Sequence, residues 1–166
     1  LDESSFVVDI GSNDGILLER LKKKNINILG IEPAENIAKI ANKNGIKTEC
    51  SYFNRKIVEK VLSKNGTANI ITANNIFAHI TDINGFIDNV NILLNNNGIF
   101  IIEIQYFKNT FEELSFDNIY HEHTFYYTIT SLQYIFSKHN LEIFKVIPVN
   151  THGGSLRVFV KKNINK

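Results

Sequence analysis

The chain has 166 residues, 43% of them hydrophobic and 21% charged, enough for one domain with a proper core, too few for two, and too apolar for a disordered segment. Eighteen Lys and Arg against seventeen Asp and Glu leave a formal charge of +1, and the basic residues form no stripe, so nucleic acid is not an expected partner and small-molecule chemistry is favoured. The single cysteine, Cys50, excludes an internal disulfide and a cysteine-built zinc site and suits a reducing cytoplasm, while no apolar run approaches the ~18 residues of a membrane span.

Leu1-Asp2-Glu3-Ser4-Ser5 is acidic and polar, unlike a secretion signal. A first strand follows almost at once, as expected of a piece of something longer. Short apolar runs then alternate with amphipathic stretches, the pattern of a parallel sheet with crossover helices. Phe6-Val7-Val8-Asp9-Ile10 predicts the first strand, and 16–24, with Leu17, Leu18 and Leu21 at helical spacing, the first helix. Ile28-Leu29-Gly30-Ile31 predicts the second strand, with Glu32 at its tip, and 34–44 a helix stopped by Gly45. A weaker strand over 46–50, a helix over 56–64 and a strand over 69–73 come next. The spacing of Phe86, Ile87, Val90 and Leu93 predicts a helix over 83–94. Asn95-Asn96-Asn97-Gly98 reads as a turn into a fifth strand over 99–105.

Residues 109–125 break the rhythm: aromatic, acidic and histidine-containing, with no period, they read as a long functional connection. A helix over 130–139 resumes the pattern. Two last strands, 141–149 and 155–161, are joined by a loop too short for a parallel crossover, so they are expected antiparallel. The expected fold is α/β: a Rossmann-like, doubly wound, mostly parallel seven-stranded sheet with an antiparallel final strand, in one domain over 1–166.

Asp9-Ile10-Gly11-Ser12-Asn13-Asp14-Gly15 puts glycines at the first strand-to-helix turn, where backbone passes close to a ligand. A dinucleotide site would show G-x-G-x-x-G; here Asn13 stands at the second glycine, and Asp14 would repel a pyrophosphate at the helix N-terminus. A cationic or zwitterionic ligand suits this turn better. Glu32, at the tip of the second strand, is placed to accept hydrogen bonds from both ribose hydroxyls, and Pro33 sets the following turn. Together these features resemble the class I S-adenosylmethionine methyltransferases; the other reading is a different nucleotide-binding α/β domain. The resemblance implies that Asp9, Gly11, Asn13 and Gly15 hold the methionine part of the cofactor and Glu32 its ribose. More loosely, it places Phe53 against the adenine and Asn74 and Asn75 at the cofactor. Phe53 also reads as a core aromatic, and the asparagines as turn residues.

Beyond the fourth strand lies His79, by itself a loop histidine as readily as a catalyst. Tyr120-His121-Glu122-His123 puts two imidazoles, a phenol and a carboxylate together after the fifth strand, an acid–base cluster. Asp117-x-x-Tyr120-His121-Glu122-His123, followed by Phe125-Tyr126-Tyr127, resembles the signature of the sugar C-methyltransferases, which methylate a carbon of a nucleotide-linked keto-sugar. Ile31-Glu32-Pro33-Ala34, Asn75 to Ile80, Glu103 to Tyr106 and Thr151 to Arg157 extend the likeness from Val7 to Arg157. It implies His123 as general base, with Tyr120, Glu122 and His79 around the sugar. A ketone acidifies the neighbouring C–H, a neutral imidazole is a suitable acceptor for that proton, and the enolate oxygen needs hydrogen-bond donors.

Several alternatives stay open. His121 and His123 would share a face of an extended segment and, with a carboxylate, hold a metal, although no third ligand is evident and none is expected. His152-Gly153-Gly154 brings backbone near the substrate or is a tight hairpin turn. The family's N-terminal zinc domain and C-terminal domain have no counterpart in this sequence, so a non-catalytic cofactor-binding module is one competing reading. Methylation of O or N of another small metabolite is the other. Oligomeric state is left open by the residues.

Overall fold

The computed structural model describes residues 1–151 and 153–163. The elements run β1 (Phe6–Ile10), α1 (Ile16–Lys22), β2 (Asn27–Glu32), α2 (Glu35–Lys43), β3 (Thr48–Cys50), α3 (Arg55–Asn65) and β4 (Ala68–Asn74), then α4 (Ile83–Leu93), β5 (Leu94–Gln105), α5 (Phe107–Glu112), α6 (Ile129–Lys138), β6 (Leu141–Val149) and β7 (Ser155–Lys162). They form one sheet in the order β3-β2-β1-β4-β5-β7-β6. β1 to β5 pair parallel with one another, and β7 is antiparallel to both β5 and β6. The expected doubly wound sheet with an antiparallel final strand is therefore observed.

The chain winds outward from β1 to β3 and then returns to place β4 on the other side of β1. This reversal opens a crevice at the C-terminal ends of β1 and β4, where ligands bind in open α/β sheets. The strands that flank it are apolar because helices cover them. β1 is buried along its whole length, as parallel strands between helical layers are. One layer, with α3, α4 and α6, packs around Phe77, Phe100 and Phe136, all with no exposed surface. The other packs Leu18 and Ala41 of α1 and α2 against Val7 and Ile46.

Two local expectations are refined. β5 begins at Leu94, paired with Ala68, rather than at Ile99, but the register passes from Ala68↔Leu94 directly to Ile70↔Ile99, so residues 95–98 bulge out of the β4 ladder. Within the bulge the Asn97 N–H donates to Asn95 Oδ1 at 3.0 Å, the local turn bond that this composition favours. The connection after β5 is also less irregular than its composition suggests, since it holds α5 and a single 3₁₀ turn, Phe116–Asn118. Among the described residues, no helix is long and apolar enough to cross a membrane.

Candidate active site

The turn after β1 is built by backbone conformations that side chains resist. Gly11 and Gly15 have φ of 68° and 88°, and Asn13 joins them at 53°. The Gly11 N–H donates to the Ile31 carbonyl at 2.8 Å, tying the turn to β2. A Cβ on Gly11 would press on Ile76 at 2.7 Å, and one on Gly15 on Ile46 at 2.8 Å. Gly11 thus keeps the crevice wall thin, whereas Gly15 serves the packing of α1 against its neighbours.

Glu32 ends β2 nearly buried, its carboxylate held from two sides. Asn13 N–H donates to one oxygen at 3.1 Å and Ala34 N–H to the other at 2.9 Å. A carboxylate oxygen accepts more than one hydrogen bond, so both oxygens keep acceptor capacity for a diol. Asp9 is buried one strand away and accepts from the Thr72 hydroxyl at 2.5 Å. Burial pushes its carboxyl up to about 6; the Thr72 bond opposes this and the Glu32 charge adds to it.

A cavity of about 490 Å³ opens beside this turn, walled by Gly11, Ile31, Pro33, Phe53, Ile76 and Phe86 among others. Phe53 meets Phe86 edge-on at 5.1 Å while its ring borders the cavity, so core packing and cavity lining coexist in one residue. The donor set fits S-adenosylmethionine in kind: a thin glycine wall, an aromatic side and two buried carboxylates on the adjoining strands. Asp9, Asn13, Gly15, Glu32 and Asn74 are near the cavity through the β1 and β2 turns or β4 rather than in its wall.

A second cavity, of about 220 Å³, is lined by Asn75, His79, Gln105, Asn118, Tyr120 and His123 among others. His79 borders both cavities. The His79 and His123 rings lie 4.9 Å apart, and the Tyr120 ring lies tilted against His123 at 4.1 Å. Each imidazole is tied down by a backbone carbonyl. His123 Nδ1 lies 3.0 Å from the Asn118 carbonyl and His79 Nδ1 2.9 Å from the Glu122 carbonyl. A carbonyl only accepts, so both Nδ1 atoms carry the proton, and in a neutral ring Nε2 holds the lone pair. At His123 that lone pair takes the Tyr120 hydroxyl at 2.8 Å. The Ala78 carbonyl accepts from Thr124 N–H at 2.8 Å, which stitches the two histidine segments together.

The four residues expected around the sugar are thus brought together, but Glu122 takes part through its carbonyl, with its carboxylate facing out beside His121, whose ring is in solvent. The segment turns at 121–122 rather than running extended, which separates His121 from His123. Asn75, expected at the cofactor, lies in the wall of the smaller cavity, its left-handed φ of 56° turning the chain there. Asn118 and Gln105 were not foreseen. A backbone acceptor leaves no side-chain signature, and Gln105 stands within the Glu103 to Tyr106 match with no role of its own. The expectation for His152 lies outside the described residues.

A family model described as a methyltransferase domain matches residues 1–146. The chain is 34% identical over 159 residues to the C-methyltransferase NovU of Streptomyces niveus, covering 96% of this chain and 38% of that protein. It spans about two fifths of the length of the curated relatives it matches. Its fold resembles a chain in the complex of the Haloferax volcanii Trm112 methyltransferase activator with a methyltransferase (TM-score 0.78, 14% identity, 98% of this chain and 84% of that one). It also resembles a SAM-dependent methyltransferase from Anabaena variabilis (TM-score 0.75, 15% identity, 98% and 79%). The chain belongs to the methyltransferase-domain family, and is a class I domain of the kind that uses S-adenosylmethionine.

Proposed function

We propose that this chain is the core of an enzyme that methylates the carbon next to the ketone of a nucleotide-linked deoxysugar, with His123 as general base. The observation that carries the reading is the His123 ring: its Nδ1–H is fixed on the Asn118 carbonyl, so Nε2 is its basic atom, holding the Tyr120 hydroxyl where both residues line the smaller cavity. An acceptor that is already nucleophilic has less need of such a base; a ketone α-carbon must lose a proton before it attacks. The name of the Streptomyces relative, a C-methyltransferase, supports the same chemistry.

In this account the Tyr120 hydroxyl turns from His123 Nε2 to donate to the enolate oxygen, and the α-proton passes to the Nε2 it frees. When bound, S-adenosylmethionine supplies an electrophilic methyl group to the enolate carbon. Glu32 accepts from the ribose hydroxyls and Phe53 flanks the adenine, with Pro33 shaping the wall between them. Asp9, Gly11, Asn13 and Gly15 form the turn for the methionine part, and Asn74 and Asn75 close β4 beside it. His79, at the border of the two cavities, separates cofactor from sugar. A free, exposed Cys50 suits the cytoplasm as the compartment.

The test is transfer from S-adenosylmethionine carrying a ¹³C-methyl group, using the full-length protein and nucleotide-linked keto-sugars. Label in a C–CH₃ group, with loss of an α-proton signal, is expected. Label in an O–CH₃ or N–CH₃ group, or no transfer to any keto-sugar alongside transfer to another metabolite, overturns the reading.

A further inference from the structure

Glu103 is a buried carboxylate that the chemistry above does not use. It sits at the C-terminal end of β5, opposite Arg157 of β7. Arg157 donates to one of its oxygens through Nη2 at 2.7 Å and Nε at 3.2 Å. The Thr151 hydroxyl donates to the other at 3.1 Å. Thr151 belongs to the hairpin loop between β6 and β7, and its own carbonyl accepts from the Gly154 N–H at 2.9 Å and the Ser155 hydroxyl at 3.0 Å. Glu103 thus holds that loop from below while the loop is knitted to itself.

The loop in turn braces the base-bearing segment. The Gly154 carbonyl accepts from Tyr106 N–H at 3.2 Å, where the chain leaves β5 for α5. Gly154 has φ of 100°, and any side chain on it would run into the Asn109 amide. Gly153 passes near the Asn118 side chain: a Cβ added to it would lie 3.6 Å from the amide nitrogen. Asn118 is the residue whose carbonyl fixes His123 Nδ1. On the other side, the Glu103 carbonyl accepts from the N–H of Asn75, which also lines the smaller cavity.

We propose that Glu103, through its grip on Thr151 and Arg157, is a positioning residue that sets the place and tautomer of the His123 imidazole. The ring itself is 5 residues from its carbonyl partner, on a segment with one 3₁₀ turn and no long helix or strand, so its tautomer depends on what holds Asn118 still. Geometry of this kind is maintained by supporting contacts rather than by the reacting groups themselves. The catalytic consequence rests on the proposed role of His123; the effect on the ring does not.

Ring ¹⁵N shifts of His123 in the 166-residue chain separate the two. The unsubstituted chain is expected to show the Nδ1–H tautomer. Thr151→Val, which removes one hydroxyl at an exposed position, is expected to move the His123 nitrogens toward a mixture of tautomers. Thr151→Ser, which keeps the bond, is expected to restore them, and the His139 nitrogens serve as an unmoved control. Glu103→Gln, checked for folding by its melting curve, should match or exceed Thr151→Val. In the full-length protein the Thr151→Val change should lower kcat ~10-fold at little change in KM, consistent with misplacement of a catalytic group. Unchanged His123 nitrogens in folded Thr151→Val overturn the proposal. Shifted nitrogens without loss of kcat leave the positioning role intact and count against His123 as the base.

Discussion

Asp9 tests the physical account of the cofactor turn most quantitatively. Its carboxyl, ordinarily at 3.8, is raised to about 6, chiefly because burial disfavours the charge. A shift of about two units corresponds to about 3 kcal/mol between the protonated and ionised forms. The folded chain therefore holds this proton more tightly than the unfolded one. Between pH 3.8 and about 6 the unfolded state binds fewer protons, so stability falls as pH rises through this window, and the cost is complete above it. Asp9→Asn removes the charge and keeps an acceptor for the Thr72 hydroxyl. Urea unfolding followed by circular dichroism from pH 4.5 to 7.5 should show the variant gaining on the unsubstituted chain as pH rises. The gap should reach ~2–3 kcal/mol at pH 7.5 and shrink at pH 4.5. Taking the difference between the chains removes the other titrating groups. A gap that is constant with pH, or one that widens toward acid, refutes the reasoning.

Two further outcomes follow from the same turn. Gly15→Ala forces a left-handed φ of 88° on a side chain and drives its Cβ against Ile46, so a loss of ~2–4 kcal/mol is expected in the same unfolding assay; a loss below ~1 kcal/mol would contradict the packing role given to Gly15. Glu32→Gln loses the charge that strengthens hydrogen bonds from a ribose, and S-adenosylmethionine should bind ~10–100-fold more weakly by calorimetry, with folding confirmed by the melting curve. Undiminished binding would remove Glu32 from the cofactor site.

Much of the fold was legible because its signals are local. β1 is an apolar run broken only by Asp9, Gly45 stops α2, and the short loop after β6 forces the antiparallel pair. The early start of β5 was not legible, because Leu94 joins the sheet through distant Ala68 of β4 while residues 95–98, whose composition speaks of turns, bulge between Leu94 and Ile99. At the candidate site, the residues Glu32, His79, Tyr120 and His123 could be picked out because ionisable side chains at or after strand ends stand out in a sequence. What holds them could not. The Asn118 and Glu122 carbonyls that set both imidazoles belong to the backbone, and the Glu103 grip on Thr151 spans 48 residues, so no local pattern encodes either.

The most direct test of the central claim is exchange of the substrate α-proton with deuterated water, measured by NMR on the full-length protein with S-adenosylhomocysteine and a nucleotide-linked keto-sugar. This isolates proton abstraction from methyl transfer. The account predicts enzyme-dependent exchange that falls at least ~100-fold in His123→Gln, with S-adenosylhomocysteine binding retained. Exchange at the unsubstituted rate in that variant would contradict it.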